Sequence, residues 1–178
     1  MRREHDQLGR MLIQITDDGV YRIAFRRDHF SHIDTKIGDR CKLFNNVTIL
    51  PGVSMGEDNL EHVPVVGERV YVDPAASLIG DVVLGDDVSL WPGVVVRGDV
   101  NFIRVGARTN IQDGTVVHVS HDGPHAKLGG FATVIGDDVT IGHKAIVHAC
   151  RIEDAALIGM GAIVLDGATL IDAGLVGP

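Results

Sequence analysis

Aliphatic residues recur at every sixth position along most of this 178-residue chain. The ladder is interrupted twice, contains one hexad that is a residue short, and consists of Val66, Val72, Leu78, Leu84, Leu90, Val96, Val105, Ile111, Val117, Ile135, Ile141, Val147, Ile152, Ile158, Val164, Leu170 and Val176. Neither an α-helix nor an ordinary strand has this period. In a hexapeptide parallel β-helix each hexad forms a short strand and a turn, and three hexads form one coil of a triangular prism. The pattern predicts an all-β fold of this kind.

Two insertions, at 100–104 ("VNFIR") and 119–133 ("VSHDGPHAKLGGFAT"), interrupt the ladder, and we expect both to loop out of the prism. An N-terminal block with the same period but a different phase predicts about one more coil, joined by a bulge at "NLEHVP"; it consists of Ile37, Leu43, Ile49 and Met55. Before it, "MLIQITDDGVYRIAF" predicts two strands around a turn, a hairpin that we expect to cap the open prism. We therefore assign residues 1–36 to an N-terminal extension and residues 37–178 to the β-helix.

Composition narrows the class of protein. Hydrophobic residues make up 45% of the chain but aromatic residues only 4%, so the core must be built from small aliphatic side chains. The net charge of −8 argues against a nucleic-acid or anionic-membrane surface, and no apolar run is long enough for a membrane span. Cys41 and Cys150 match no metal or redox spacing, which favours an intracellular reducing compartment. We expect a cytoplasmic protein.

Counting hexads around the prism places three side chains in one column. The hexads that start at Val96, Val117 and Val147 are three hexads apart, so they stack on one face. Their second positions are held by Arg97, His118 and His148. The hexads that start at Leu90, Ile111 and Ile141 stack on the preceding face, and this count puts Asp113 and His143 in one further column.

The stretch "TIGHKAIVHAC" contains both His143 and His148, one corner of the prism apart. They cannot easily converge on one ion within a single chain, but a threefold trimer would bring one chain's face against the other face of its neighbour. His118 and His148 of one chain and His143 of the next would then supply three imidazoles, the ligand set of a catalytic zinc site with an open fourth position. His121 and His125 have no such registry, and we expect them to be solvated loop residues.

Three stretches, "WPGVVVRGDVNFIRVGARTNIQDGTVVHVSH", "TIGHKAIVH…C" and "LIGMGAIVLDGA", resemble the bacterial gamma-class carbonic anhydrase-like proteins over roughly residues 62–176. The resemblance implies a left-handed β-helix and a homotrimer with a metal ion at each subunit interface. The ligands it implies are His118, His143 and His148, the same three residues that the hexad count selects.

The resemblance also implies roles for residues around the ligands. The "RGD" motif supplies Arg97 and Asp99, which are expected to pair near the interface. The "NIQDG" motif supplies Asn110, Gln112 and Asp113, and in the family the glutamine positions metal-bound water or hydroxide. Asp113, in the column of His143, is a candidate acceptor that would fix an imidazole tautomer.

The sequence departs from the family pattern in three places. The segment "VNFIRVG" carries no acid where well-characterised family members have a proton-shuttling glutamate, which leaves His121 or His125 as candidate relays. The chain stops in mid-hexad at "LVGP", so we expect the usual C-terminal helix to be absent. The N-terminal sixty residues extend beyond the usual start.

The resemblance favours reversible hydration of CO2 to bicarbonate by a metal-bound hydroxide at trimer interfaces, with Zn2+ as the cofactor and Fe2+ or Co2+ as alternatives. Two other functions stay open. The first alternative is a catalytically silent metal-binding relative. The second is a hexapeptide acyltransferase that uses acyl-CoA, and it stays open because "IGDRCKLFNNVTILPGVSMG" resembles the coils of those enzymes.

Overall fold

The structure, a computed structural model, describes residues 63–124 and 128–177, together with the backbones of four N-terminal strands. Those four strands are β1 Met11–Ile15, β2 Tyr21–Phe25, β3 Lys42–Leu43 and β4 Thr48–Leu50. The strands that follow are β5 Val65–Val66, β6 Tyr71–Val72, β7 Ser77–Leu84, β8 Ser89–Leu90, β9 Val95–Val105, β10 Asn110–Ile111, β11 Val116–His118, β12 Thr133–Ile135, β13 Thr140–Ile141, β14 Ile146–His148, β15 Arg151–Ile152, β16 Leu157–Ile158, β17 Ile163–Val164, β18 Thr169–Leu170 and β19 Leu175–Val176. The described residues contain no helix, and hence none long and apolar enough to cross a membrane.

Parallel pairing stacks these strands on three faces. The first face is the seven-stranded sheet β3, β6, β8, β10, β13, β16 and β19. The second face holds β4, β11, β14 and β17, and the third holds β5, β12, β15 and β18. Strands β7 and β9 run round the corner between the second and third faces and belong to both. The predicted fold class, a left-handed parallel β-helix of hexapeptide repeats, is confirmed.

The interior is built by the ladder of aliphatic residues. Val117 pairs with Val96 on one side and with Val147 on the other, and all three side chains are fully buried. Ile111 lies in the same way between Leu90 on β8 and Ile141 on β13. Burying an aliphatic side chain of this size contributes roughly 1.5–3 kcal/mol, so the ladder is the main stabilising element of the prism.

The two insertions are accommodated differently. The first is not a separate loop: strand β9 continues through it, and the additional residues form a bulge, because Gly80 pairs with Gly98 whereas Val82 pairs with Ile103. The prediction that this segment loops out of the prism is therefore only partly right. The second insertion does leave the prism, and two backbone hydrogen bonds between Ser120 and Phe131 close its base.

The N-terminal block joins the same stack. Leu43 pairs with Val72 on the first face, and Ile49 pairs with Leu78 on the second. On the third face, the residue that pairs with Leu84 is Val66 of the main ladder. Ile37 and Met55 lie outside the described residues. Strands β1 and β2 pair antiparallel on either side of the predicted turn, and their capping role stays a prediction.

Two corners of the prism carry different side chains at their left-handed positions. At the corner between the first and second faces, here called the histidine edge, Gly93, Gly114, Lys144 and Gly161 adopt left-handed backbone angles. At the corner between the third and first faces, here called the charged edge, the left-handed positions are held by side chains that include Arg69, Asp87, Arg108 and Asp138. His143 directly precedes Lys144 and therefore lies on the histidine edge.

Candidate metal centre

His118 and His148 lie side by side on the outside of the second face. Each follows a buried valine of the ladder, so strand alternation turns its side chain outward. The two residues are paired in the register of β11 and β14, and their ring centroids are 5.0 Å apart. Nδ1 of His118 lies 3.1 Å from Nε2 of His148.

Each of these rings has a carboxylate on its other nitrogen. Nε2 of His118 lies 2.9 Å from Oδ1 of Asp99, and Nδ1 of His148 lies 2.6 Å from Oδ1 of Asp166. Asp99 also accepts a hydrogen bond from Arg97, so the pair implied by the "RGD" motif is in contact. The result is one continuous chain of polar contacts from Arg97 to Asp166.

These polar contacts determine which nitrogen of each imidazole carries the lone pair. An ionised carboxylate can only accept, so His118 donates its Nε2–H to Asp99 and His148 donates its Nδ1–H to Asp166. In neutral rings the two remaining nitrogens, which face each other at 3.1 Å, both carry lone pairs. Two lone pairs at this distance repel each other unless a proton or a metal ion lies between the two nitrogens.

Burial and local charge favour the required protonation states. Burial lowers the pKa of His118, the hydrogen bond to Asp99 opposes this, and the charge of Arg97 lowers that pKa further. Burial raises the pKa of Asp99, but hydrogen bonds from His118 and Arg97 outweigh it and hold the pKa of this carboxyl below its ordinary value. The balance favours a neutral imidazole beside an ionised carboxylate.

His143 lies apart from this pair, on the histidine edge after β13. The corner and strand β14 separate it from His148, so within one chain the full width of the second face lies between them. Its Nδ1 is 3.0 Å from Oδ2 of Asp113, the residue predicted from their shared column, and both side chains are about half exposed at 49%. With Nδ1–H donated to Asp113, the lone pair of His143 is on Nε2.

The donor set fits a divalent metal ion. In a tetrahedral site with Zn–N bonds of 2.0–2.1 Å, two ligand nitrogens lie about 3.3 Å apart, close to the observed separation of the His118 and His148 nitrogens. Metal-bound histidines almost always donate their second N–H to a carboxylate, a carbonyl group or water, as all three histidines do here. In the part of the chain that the structure describes, no group of three or more His, Cys, Asp or Glu side chains is placed to hold a metal ion by itself.

The remaining predicted residues lie close by in sequence but make different contacts. Asn110 is one coil beyond Trp91, and its side-chain oxygen accepts hydrogen bonds from Trp91 Nε1 at 2.6 Å and Ser89 Oγ at 2.8 Å. Its contacts are therefore with the first face rather than with a histidine. Gln112 follows β10 at the histidine edge, next to Asp113, and is partly buried.

The outside of the second face is apolar beside the two histidines. Val116, Ile146 and Ile163 stack in register one residue before the buried ladder, and their exposed fractions rise from 38% to 59% along the stack. An exposed aliphatic stripe therefore lies directly beside the column of His118 and His148. Such a stripe is typical of a surface that is covered by another protein chain.

Of the other residues considered, His121 is exposed in the excursion, and His125 lies outside the described residues. Sequence reasoning did not select Asp166. Two signals could have found it: Asp166 lies in "LIGMGAIVLDGA", one of the stretches that carry the family resemblance, and its hexad, which starts at Val164, stacks on the hexad of His148. Cys150 is a buried free thiol, and burial raises its pKa to about 12.

Comparison with known proteins gives three main findings. Residues 64–98 match the family model described as bacterial transferase hexapeptide (six repeats). The chain is 52% identical over 103 residues to protein YrdA of Escherichia coli, which covers 58% of this chain and 55% of that protein. It is 53% identical over 104 residues to mitochondrial gamma carbonic anhydrase 2 of Arabidopsis thaliana, which covers 58% of this chain and 37% of that protein.

A solved structure agrees with these sequence matches. A hexapeptide transferase family protein from Anaplasma phagocytophilum superposes with a TM-score of 0.55 at 37% identity. The match covers 73% of this chain and 75% of that chain. The chain spans little more than half the length of YrdA and a smaller share of the plant protein.

Proposed function

Because this chain belongs to the gamma-class carbonic anhydrase-like family of hexapeptide-repeat proteins, we propose that it catalyses the reversible hydration of CO2 to bicarbonate at a metal centre shared between chains. The observation that carries the proposal is the facing pair of nitrogens on His118 and His148, each ring being held by a carboxylate on its opposite nitrogen. The likeness to a protein named a gamma carbonic anhydrase supports the choice of reaction.

In the proposed site, His118 and His148 of one chain and His143 of a neighbour hold the ion. Two features support a shared site: His143 lies on a corner, a full face away from the pair, and the apolar stripe of Val116, Ile146 and Ile163 gives a second copy a surface to cover. A homotrimer would close this arrangement by repeating one contact three times.

The metal, Zn2+ or alternatively Fe2+ or Co2+, would act as a Lewis acid that lowers the pKa of a coordinated water to near 7. The protein residues would have supporting roles. Asp99, Asp113 and Asp166 fix the histidine rings, and Arg97 holds Asp99 ionised. Gln112, at the histidine edge beside Asp113, is proposed to orient the water or the bicarbonate product.

The decisive test is metal content. Purified His118→Ala should lose stoichiometric zinc or anaerobically loaded iron, measured by elemental analysis, because it lacks one of three ligands. His121→Ala is the matched control: it also removes an imidazole, but an exposed one in the excursion, and it should keep the metal. Full metal content in His118→Ala would contradict the ligand assignment.

Activity is tested separately, by stopped-flow CO2 hydration on the metal-loaded protein. A rate above that of buffer supports the hydratase. No rate with either zinc or iron, in a protein that retains the metal, would favour the catalytically silent relative. If His121 relays the proton, His121→Ala should lower the turnover number in weak buffer, and concentrated imidazole buffer should restore that turnover number.

The cytoplasmic location stays a prediction.

A second candidate is acyl transfer, which is favoured by the name of the matching family model and by that of the superposed structure. Both names describe hexapeptide transferases, a group in which an acyl-CoA would lie between subunits. Coenzyme A binding, measured by calorimetry on the metal-loaded protein, distinguishes the two functions. Binding together with acyl transfer and no CO2 hydration would overturn the hydratase proposal.

A further inference from the structure

We propose that Asp166 is a positioning residue of the metal centre, and that the base of the excursion at 119–133 holds Asp166 in place. The inference rests on the proposed function. It assigns a role to a carboxylate for which neither the hexad count nor the family resemblance gave one, and to an insertion that interrupts the repeat.

Asp166 determines how the ring of His148 is turned. Its Oδ1 lies 2.6 Å from Nδ1 of His148, while Nε2 of the same ring lies 3.1 Å from His118 Nδ1. A flip of the ring would replace both nitrogens by carbon atoms, losing the contact with Asp166 and turning the lone pair away from His118. The carboxylate therefore selects one of two ring orientations, the one that presents a nitrogen to the ion.

The backbone next to Asp166 is fixed by close packing. Gly167 has a left-handed φ of 74°, and its N–H donates to the carbonyl of Ala149 at 2.8 Å. A Cβ at Gly167 would lie 3.4 Å from Cε1 of Phe131, so the ring of Phe131 lies against this turn. Asp166 thus follows β17 at a corner that is held from one side by the coil of His148 and from the other by Phe131.

Phe131 and Ser120 are the two residues that close the excursion. Their backbones exchange hydrogen bonds of 3.0 and 3.2 Å, and Asn101 Nδ2 donates to the Ser120 carbonyl at 3.1 Å. The base of the excursion is therefore anchored to the bulge of β9 that also carries Asp99. The excursion connects the carboxylates of the two facing histidines through Asn101, Ser120 and Phe131.

Asp166 holds this contact with His148 at a partly exposed position, since its side chain is 40% exposed. A carboxylate on Nδ1–H makes Nε2 of the same imidazole a stronger base and hence a better metal ligand. Asp113 stands in the same relation to His143. Asp99 instead contacts Nε2 of His118 and leaves Nδ1 of that ring as the stronger base.

The experiment compares Asp166→Ala, Asp166→Asn and Asp172→Ala in the full chain. Asp172 is the matched control: it holds the same third position in the following hexad but lies at the charged edge, away from His148. Two quantities are measured. The first is the dissociation constant for Co2+, from competition with a chelator. The second is the tautomer of His148 in metal-free protein, from long-range nitrogen–proton correlations in protein with 15N-labelled histidine.

Asp166→Ala should weaken Co2+ binding about 10–100-fold and lose the Nδ1–H tautomer of His148. Asp166→Asn should lie between Ala and wild type, because its amide oxygen still accepts the hydrogen bond without a charge. Asp172→Ala should match wild type in both measurements.

An unchanged tautomer and an unchanged Co2+ affinity in a folded Asp166→Ala or Asp166→Asn would overturn the inference. A wild-type protein that binds no Co2+ would instead overturn the proposed metal centre. The tautomer measurement needs no metal, so it would still decide whether Asp166 orients His148.

Discussion

The charged edge and the histidine edge have the same backbone geometry and carry different side chains. Both turn the chain through left-handed residues, with φ between 55° and 59° at Arg69, Asp87, Arg108 and Asp138 on the charged edge and 71° at Gly93 on the histidine edge. Any residue that tolerates this conformation can therefore occupy the corner. The two edges differ in the contacts that the side chains around the corner make.

Side chains on the charged edge bond from one coil to the next. Arg108 donates two hydrogen bonds of 2.7 Å to Asp138, and Arg69 does the same to Asp87 at 2.6 and 2.7 Å. Asp137 accepts the backbone N–H of Ala107 at 2.8 Å. These contacts satisfy polar groups of the stack itself and leave little on this edge for a ligand.

On the histidine edge the contact between coils is made by Asp113 and His143, which leaves one imidazole nitrogen uncommitted. The neighbouring left-handed positions are mostly glycine, so the corner is narrow and the ring is about half exposed. The same corner geometry thus supports a ladder of ion pairs in one place and an imidazole with an uncommitted nitrogen in another. Fold and function are separated by side-chain choice at equivalent positions.

The largest expected effect comes from His143→Ala on the histidine edge. We expect the loss of bound metal, because in the proposed site this imidazole is the ligand that a neighbouring chain supplies. The melting temperature of the chelator-treated protein should change little. Elemental analysis and thermal unfolding measure the two quantities. A metal content equal to that measured for the wild-type protein would contradict the proposed role of the histidine edge.

Next in size is Gly106→Ala, where the charged edge is tightly packed. A Cβ on Gly106 would collide with the backbone carbon of Gly136 and with Oδ1 of Asp137 in the adjacent coil, so we expect a loss of about 1–3 kcal/mol in the free energy of unfolding. Gln112, at the same hexad position of the histidine edge, already carries a side chain. Gln112→Ala should therefore change stability by less than about 0.5 kcal/mol in the same denaturant titration.

Of the three principal variants, His143→Ala, Gly106→Ala and Lys144→Gly, the last should have the smallest effect. Lys144 has a φ of 57° at a place where Gly93, Gly114 and Gly161 occur in other coils, so relief of backbone strain should offset the larger entropy of an unfolded glycine. We expect a change in unfolding free energy of less than about 1 kcal/mol. Asp138→Gly, the equivalent change on the charged edge, should lower the melting temperature because it also removes the partner of Arg108. Equal effects on both edges would contradict the comparison.

The stacking of the coils could be predicted from the sequence because it depends on a short local repeat. A buried aliphatic residue every six positions is enough to pair Val96, Val117 and Val147, and the hexad that is one residue short still brings Ile152 beside Ile135. The count also places His118 beside His148. It holds even across the excursion, since the inserted residues leave the prism before Thr133 and re-enter on the next face.

Two carboxylates, Asp99 and Asp166, were harder to predict than Asp113, which the hexad count places in one column with His143. Asp99 is in the bulge of β9, outside the register, so no count could place it on His118 Nε2. Asp166 is in register, but its contact with His148 depends on how a corner residue reaches back to the preceding coil. That direction is set by Gly167 and Phe131, which are far apart in sequence.

The excursion also has a kinetic consequence for assembly of the chain. His148 is 18 residues from Asp166 on the following coil, but 30 residues from His118 on the preceding one. The entropy of closing a loop grows only with the logarithm of its length, so the longer connection costs about 0.5 kcal/mol more than the shorter one. A solenoid can therefore accept an insertion between two neighbouring coils with only a small penalty on the rate at which those coils dock.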